Sequence, residues 1–301
     1  MNPPRDLADS SAAGPTIALA LGAGGAKGLA HIGAIEEIQA QGFRIVAIAG
    51  TSMGALIGGI HAAGKLDVYR DWVCSLRKLD VWRLVDFSLS LSGGGLIKGE
   101  RIIGRLRELI GEARIEELPL PYTAVAVDLD REREVWLNRG PLFDAIRASI
   151  AIPTVFQPYH LDGRRLVDGA LLNPVPVTPL IRENADYLLA VSVDGPADTD
   201  VTPVQTHASP SHGLLARLGR HGTGERPAAQ PGALEVLNRS MDLMQANLSR
   251  LRLAAYAPDL LISLPRNVSA AYEFYRAREL IELGREHTRR LLAAWRAQRP
   301  N

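Results

Sequence analysis

Thr16-Ile17-Ala18-Leu19-Ala20-Leu21-Gly22-Ala23-Gly24-Gly25-Ala26-Lys27-Gly28 and Phe43-Arg44-Ile45-Val46-Ala47-Ile48-Ala49-Gly50-Thr51-Ser52-Met53-Gly54 together decide the architecture. In each, a short apolar run stops at glycine and gives way to helical spacing, through Ile32, Ile35 and Ile38 in the first case and over Met53 to Ala63 in the second. Apolar runs of this length bounded by glycine are buried strands, and the recurrence after each glycine turn at three- and four-residue steps is an amphipathic helix. Strand, tight loop and helix, twice within the first 65 or so positions, predict an α/β fold with a mostly parallel sheet and helices on both faces.

The alternation continues outward. Tyr122 to Val127, Glu134 to Leu137, Tyr187 to Val193 and Leu260 to Leu264 read as further strands, with a helix at Leu142 to Ser149. Leu237, Met241, Met244, Leu248 and Leu251 follow a 4-3-4-3 spacing and predict a helix packed on the core. A last helix, about Ala270 to Arg296, ends in a basic stretch with Trp295 and reads as a solvated terminal helix. Residues 1–15 are a polar lead rich in Pro, Ser, Ala and Asp, read as disordered, and 16–298 as a single α/β domain. Within it, 203–232 is rich in Pro, Gly, Ser, His and Arg without periodicity, which predicts a mobile insertion.

Composition narrows the function classes. The chain has 301 residues, 47% hydrophobic and 22% charged, enough apolar content for a packed core. Lys and Arg number 34 against 33 Asp and Glu, a net charge of +1 that supplies no field for nucleic acid. One cysteine, Cys74, permits neither an internal disulfide nor a thiolate metal site. The start lacks the apolar stretch of a secretory signal, and no run of about 18 apolar residues offers a spanning helix. A cytoplasmic protein is expected, with peripheral membrane contact left open.

Gly50-Thr51-Ser52-Met53-Gly54 is G-x-S-x-G at a strand-to-helix turn, the context that makes a serine a nucleophile. So sharp a turn strains the serine backbone, and glycines two places to either side let neighbouring segments close in. The Gly22–Gly28 loop is not a nucleotide site. G-x-G-x-x-G would need glycine at Lys27 or Ala26, and a Walker loop would need Ser or Thr where Gly28 stands. What remains is a run of backbone N–H groups able to hold an oxyanion, with Lys27 beside it. For the base, His31, His61 and His160 precede Asp168, His207, His212 and His221 lie in the insertion with spacing that fits no metal, and His287 is on a helix. Asp168 follows Leu166-Val167 and precedes Gly169, where the chain turns and aims a carboxylate.

Glycine loop, G-x-S-x-G and Asp168-Gly169-Ala170, in that order, resemble the bacterial patatin-like phospholipases, of the patatin and neuropathy-target-esterase type. Leu29-Ala30-His31-Ile32-Gly33 and Ala148-Ser149-Ile150-Ala151-Ile152-Pro153-Thr154-Val155-Phe156 resemble the flanking segments of that family, and the likeness spans about Thr16 to Arg285. The loop departs at Ala23, where the family has its first glycine. The resemblance implies a three-layer α/β/α sandwich and a Ser52–Asp168 dyad. It also implies oxyanion donors at Gly24, Gly25 and Ala26 with Lys27 in the basic position, motif glycines Gly22, Gly28, Gly50, Gly54 and Gly169, and a phospholipid or other fatty-acyl ester as substrate. No metal or organic cofactor is required. Leu84 to Leu96, with Phe87, leucines and Gly93-Gly94-Gly95, is either an apolar lid or a buried connection. Two other readings stay open: a regulatory or interaction protein on the same scaffold with weak or vestigial esterase activity, and an α/β-hydrolase whose histidine is unrecognised.

Overall fold

The computed structural model describes residues 14–84, 95–197 and 233–299. The N-terminal lead up to residue 13, the 85–94 part of the Leu84 to Leu96 stretch and the whole 203–232 insertion lie outside them. The chain begins β1 (Thr16–Leu21), α1 (Ala30–Ala40), β2 (Arg44–Thr51) and α2 (Met53–Ala62), the two predicted βα units. Helices α3 (Leu66–Ser75) and α4 (Lys78–Arg83) follow, then β3 (Gly95–Ile97), α5 (Glu100–Ile110), β4 (Tyr122–Asp128), β5 (Arg133–Leu137) and α6 (Leu142–Ser149). Short strands β6 (Thr154–Phe156), β7 (Tyr159–Leu161) and β8 (Arg164–Asp168) lead to β9 (Tyr187–Gly195), α7 (Ala233–Ala255), β10 (Leu260–Pro265) and α8 (Ala277–Ala297).

The main sheet runs β10-β9-β1-β2-β4-β8-β7, with β5 also on β4. Its central pairings, β10 with β9, β9 with β1, β1 with β2 and β2 with β4, are parallel; β5, β8 and β7 join antiparallel. Side chains alternate across a strand, and here the alternation sorts by size. Ile17, Leu19 and Leu21 of β1 and Leu189, Val191 and Val193 of β9 enter the large core, with α1, α2, α6 and α8 above them. Ala18, Ala20, Ala47, Ala49 and Ala190 form the opposite face, covered thinly by Val175, Val177, Leu180 and, from α7, Leu253.

That alanine face explains a correction. Leu237, Met244 and Leu251, predicted to be core, are 47%, 70% and 70% exposed. A face of alanines admits only a close, small-residue approach, and α7 turns Ala246 and Ser249 inward instead. The second correction concerns the last helix, which starts at Ala277 and not near Ala270. Glu273 captures the Ala270 N–H (3.0 Å), the Tyr275 hydroxyl (2.9 Å) and Arg276 (2.9 Å), bonds that compete with a helical turn.

Only one face of α8 is solvated; the other, with Leu280, Ile281, Gly284 and Leu292, is buried. It lies against α1 so closely that a Cβ on Gly33 would stand 1.9 Å from the Ile281 carbonyl oxygen, and one on Gly284 2.0 Å from that of Ala30. Glu36 takes Arg70 and Arg285 (both 2.7 Å) and Glu37 takes Arg289 (2.9 Å), lacing the helix pair. Burial opposes the Glu37 charge, but its hydrogen bonds from Arg289 and Gln41 hold the carboxyl below its usual range. Trp295 packs edge-on to Tyr187 at 4.9 Å and donates to the Asp259 carbonyl (3.0 Å). Among the described residues no helix is long and apolar enough to cross a membrane.

Candidate active site

Two strands share one edge of β4. Thr51, the last residue of β2, pairs with Val125, and Asp168, the last of β8, pairs with Ala126, the next position along. Since β5 occupies the other edge over Ala124 to Asp128, β2 and β8 meet end to end on this one. The junction brings Ser52 and Asp168, 116 positions apart in the chain, to the same point above the sheet. Gly169 makes the fit possible: a Cβ there would stand 2.3 Å from the Val125 carbonyl oxygen and 3.1 Å from the Thr51 methyl.

Ser52 has φ 56° and ψ −121°, a left-handed conformation costly for a residue with a side chain. The glycines around it are required by close approach. A Cβ on Gly50 would meet the Gly54 carbonyl oxygen at 2.3 Å, and one on Gly54 the Leu21 carbonyl oxygen at 2.1 Å. Gly28 lets Met53 in, at 2.4 Å from its would-be Cβ. Ser52 N–H donates to Ser149 Oγ (2.9 Å), Thr51 Oγ1 donates to the Asn173 carbonyl (2.8 Å), and the Ser52 carbonyl accepts from Leu56 (3.1 Å) as α2 begins. The first-turn N–H groups of α2 therefore point toward the site with the positive end of the helix dipole.

Asp168 is 3% exposed. Its Oδ1 accepts the Ala170 N–H (2.8 Å), while Oδ2 is buried without a hydrogen-bond partner. Burial raises its pKa to about 6, against the stabilising influence of the Ser52 hydroxyl and the Ala170 N–H. The Ser52 hydroxyl is thus near enough to favour the carboxylate, yet closes no bond of normal length on Oδ2. Such contacts are commonly loose without substrate. Ser52 itself is 4% exposed.

In the glycine loop the predicted donors divide. Gly22 N–H goes to Val191, Ala23 N–H to Pro174 and Ala26 N–H to Ala271 (each 2.9 Å), so Ala26 is spent on loop structure and is not a free donor. Gly24 and Gly25 keep N–H groups without a partner among the described residues. Both need to be glycine: a Cβ on Gly24 would stand 2.0 Å from the Val193 side chain, and Gly25 has φ +54° with the Ala271 oxygen at 2.8 Å. Lys27 does not face free space but pairs with Asp194 at the end of β9 (2.5 Å).

The histidines among the described residues are elsewhere. His31 is fully buried, donates Nε2–H to the Gly22 carbonyl (2.8 Å) and has its pKa lowered to about 4 by burial, so it is a neutral brace under the glycine loop. His61 lies in the last turn of α2, remote from Ser52, His160 is exposed on β7, and His287 is on α8 beside Arg290. Two surface clefts, one along Leu180 to Leu188 and Tyr256 and the other around Ile115, Tyr122 and Arg139, include neither Ser52 nor Asp168. Sequence reasoning missed the support residues. Asn173 links Thr51 to Glu134 (2.8 Å), which pairs with Arg252 of α7 (3.1 Å), and Ser149 holds the Ser52 amide; spacing carries no sign of such tertiary partners.

Residues 19–181 match the family described as patatin-like phospholipase, a stretch that runs from within β1 through Ser52 and past Asp168. The chain belongs to the patatin-like phospholipase family. Membership makes it a lipid acyl hydrolase by class. An uncharacterized NTE family protein of Mycobacterium tuberculosis is 39% identical over 98% of this chain and 96% of its own length. A second from the same species is 31% identical over 81% of this chain and 41% of its own. The neuropathy target esterase sws of Drosophila melanogaster is 28% identical over 63% of this chain and 14% of its own length. Among solved structures, VipD of Legionella pneumophila covers 94% of this patatin-like chain with 67% of its own, at 14% identity and a TM-score of 0.45.

Proposed function

We propose that this patatin-like protein hydrolyses fatty-acyl esters, phospholipids or lysophospholipids, through a Ser52–Asp168 dyad and an acyl-enzyme. Asp168 takes the Ser52 proton as Oγ attacks the ester carbonyl, and the oxyanion is held by the Gly24 and Gly25 N–H groups. Collapse breaks the carbon–oxygen bond to the alcohol, which leaves with the proton from Asp168. Water, deprotonated by the same aspartate, then attacks the acyl-enzyme; the fatty acid departs and Ser52 recovers its proton. No atom or proton is left unassigned.

One observation carries this reading: a buried carboxylate whose Oδ2 lacks a partner faces a strained serine at the head of a helix. A carboxylate anchored through one oxygen, with the other left unpartnered and the group kept ionisable near neutral pH, is what a general base requires. The histidine alternative is weakened, because the one buried histidine among the described residues, His31, spends its donor on Gly22. Peripheral contact with membrane lipid belongs to the same proposal, since the substrate class is a lipid.

A fluorophosphonate probe read by intact mass tests the dyad. Wild type is expected to gain one adduct, and Ser52→Ala and Asp168→Asn to gain none. An adduct that survives Ser52→Ala would remove the serine from the mechanism, and one that disappears with His61→Ala, His160→Ala or His287→Ala would restore a histidine base.

A further inference from the structure

We propose that Ser149 and Ala151 form a clip that fixes Ser52 and Asp168 relative to each other, with Ser149 acting as a positioning residue for the nucleophile. The inference rests on the dyad reading and goes beyond it, to a residue that touches neither substrate nor reacting atom.

The geometry is a closed loop of short contacts. Ser149, at the C-terminal end of α6, is fully buried. Its hydroxyl has one proton, given to the Val125 carbonyl (2.6 Å), which leaves the lone pairs to accept the Ser52 N–H (2.9 Å). Two residues later the Ala151 carbonyl accepts the Asp168 N–H (3.0 Å). Val125 and Ala126 are the adjacent β4 positions that pair with Thr51 and Asp168. One short segment therefore grips both dyad residues by their backbone amides and is itself tied to the strand between them.

A buried N–H needs a partner, and any buried acceptor would meet that requirement. What distinguishes Ser149 is where its bond falls. The Ser52 amide belongs to the strained residue itself, so its direction sets how φ 56° is held and where Oγ points. Catalysis is steep in such placement: an error of about 1 Å costs roughly 100-fold in rate. Asp168 is held by a different atom of the same clip, so loosening Ser149 moves the serine and leaves the base in place.

The test is the second-order rate of fluorophosphonate labelling, with kcat and KM for a soluble p-nitrophenyl ester. Ser149→Ala is expected to slow labelling roughly 10- to 100-fold and to lower kcat alike, with KM within about twofold, and Ser149→Thr, which restores the hydroxyl, to recover most of the loss. Tyr122→Phe is the matched control. It removes another buried hydroxyl bond from β4, to the Ala55 carbonyl (2.7 Å), and is expected to label at the wild-type rate despite its lower Tm. If Ser149→Ala does not fold, Ser149→Cys carries the test, since its sulfur is only a weak acceptor, and slow labelling is again expected. Wild-type labelling in a folded Ser149→Ala or Ser149→Cys overturns the clip while leaving the dyad intact, and so does an equal loss in Tyr122→Phe. An unlabelled wild type overturns the dyad and the clip together.

Discussion

A carboxylate that must stay ionised without a strong partner is placed against its own comfort. Burial raises Asp168 to about 6, above the ordinary range, so folding disfavours its charge. The stability linked to this group is complete below the unfolded value near 3.8 and is lost as pH rises through about 6. Asp168→Asn, which has no charge to bury, should therefore raise Tm at pH 8 and change it little at pH 4, while abolishing hydrolysis; calorimetry at the two pH values checks the sign. Wild-type kcat/KM should fall tenfold per pH unit below about 6, where an unperturbed carboxylate would hold activity to about pH 4. Ser52 and Asp168 were legible as candidates because sharp turns need glycine in sequence beside them. Ala26 was not, because its amide is satisfied by Ala271, some 245 positions away, and no local pattern records that.

At the scale of elements, glycine carries opposite meanings in two helices. Gly284 in α8 faces the Ala30 carbonyl oxygen across the contact with α1, so Gly284→Ala forces two backbones apart and should lower stability by about 2–3 kcal/mol, read by urea titration. Gly104 in α5 has nothing within 4 Å of a would-be Cβ, and Gly104→Ala should raise stability by about 0.5–1 kcal/mol. The same titration on Met244→Gln in α7 should move stability by less than about 0.5 kcal/mol, because Met244 is 70% exposed; a larger loss would reinstate the core reading of that helix. The positions of β1 and β2 were readable from apolar runs ended by glycine. The face that α7 buries was not, because a 4-3-4-3 stripe marks an apolar face without naming a surface able to receive it, and the alanines of β1, β2 and β9 do not receive large side chains.

Over the whole molecule, the long strands were far more legible than the short ones or than the order of the sheet. Hydrophobic runs identified β1, β2, β4, β5, β9 and β10 and missed the short β3, β6, β7 and β8, and nothing in a run says which neighbour it takes, although the site depends on that choice: β2 and β8 serve the dyad by dividing one edge of β4. The same sheet sets β1 between β2, its successor, and β9, formed from far downstream. Thr16 and Asp186, 170 positions apart, seal the start of that second pairing with the Thr16 amide and hydroxyl both donating to the carboxylate (2.7 and 2.8 Å). At synthesis rates of about 5–20 residues per second that separation is on the order of 10–30 s of translation, during which β1 has one bare edge. An open apolar edge is a template for other chains. The nascent chain thus carries an unpaired edge of β1 from the making of that strand until β9 emerges, and whatever guards the edge in that interval guards the sheet against pairing with other chains.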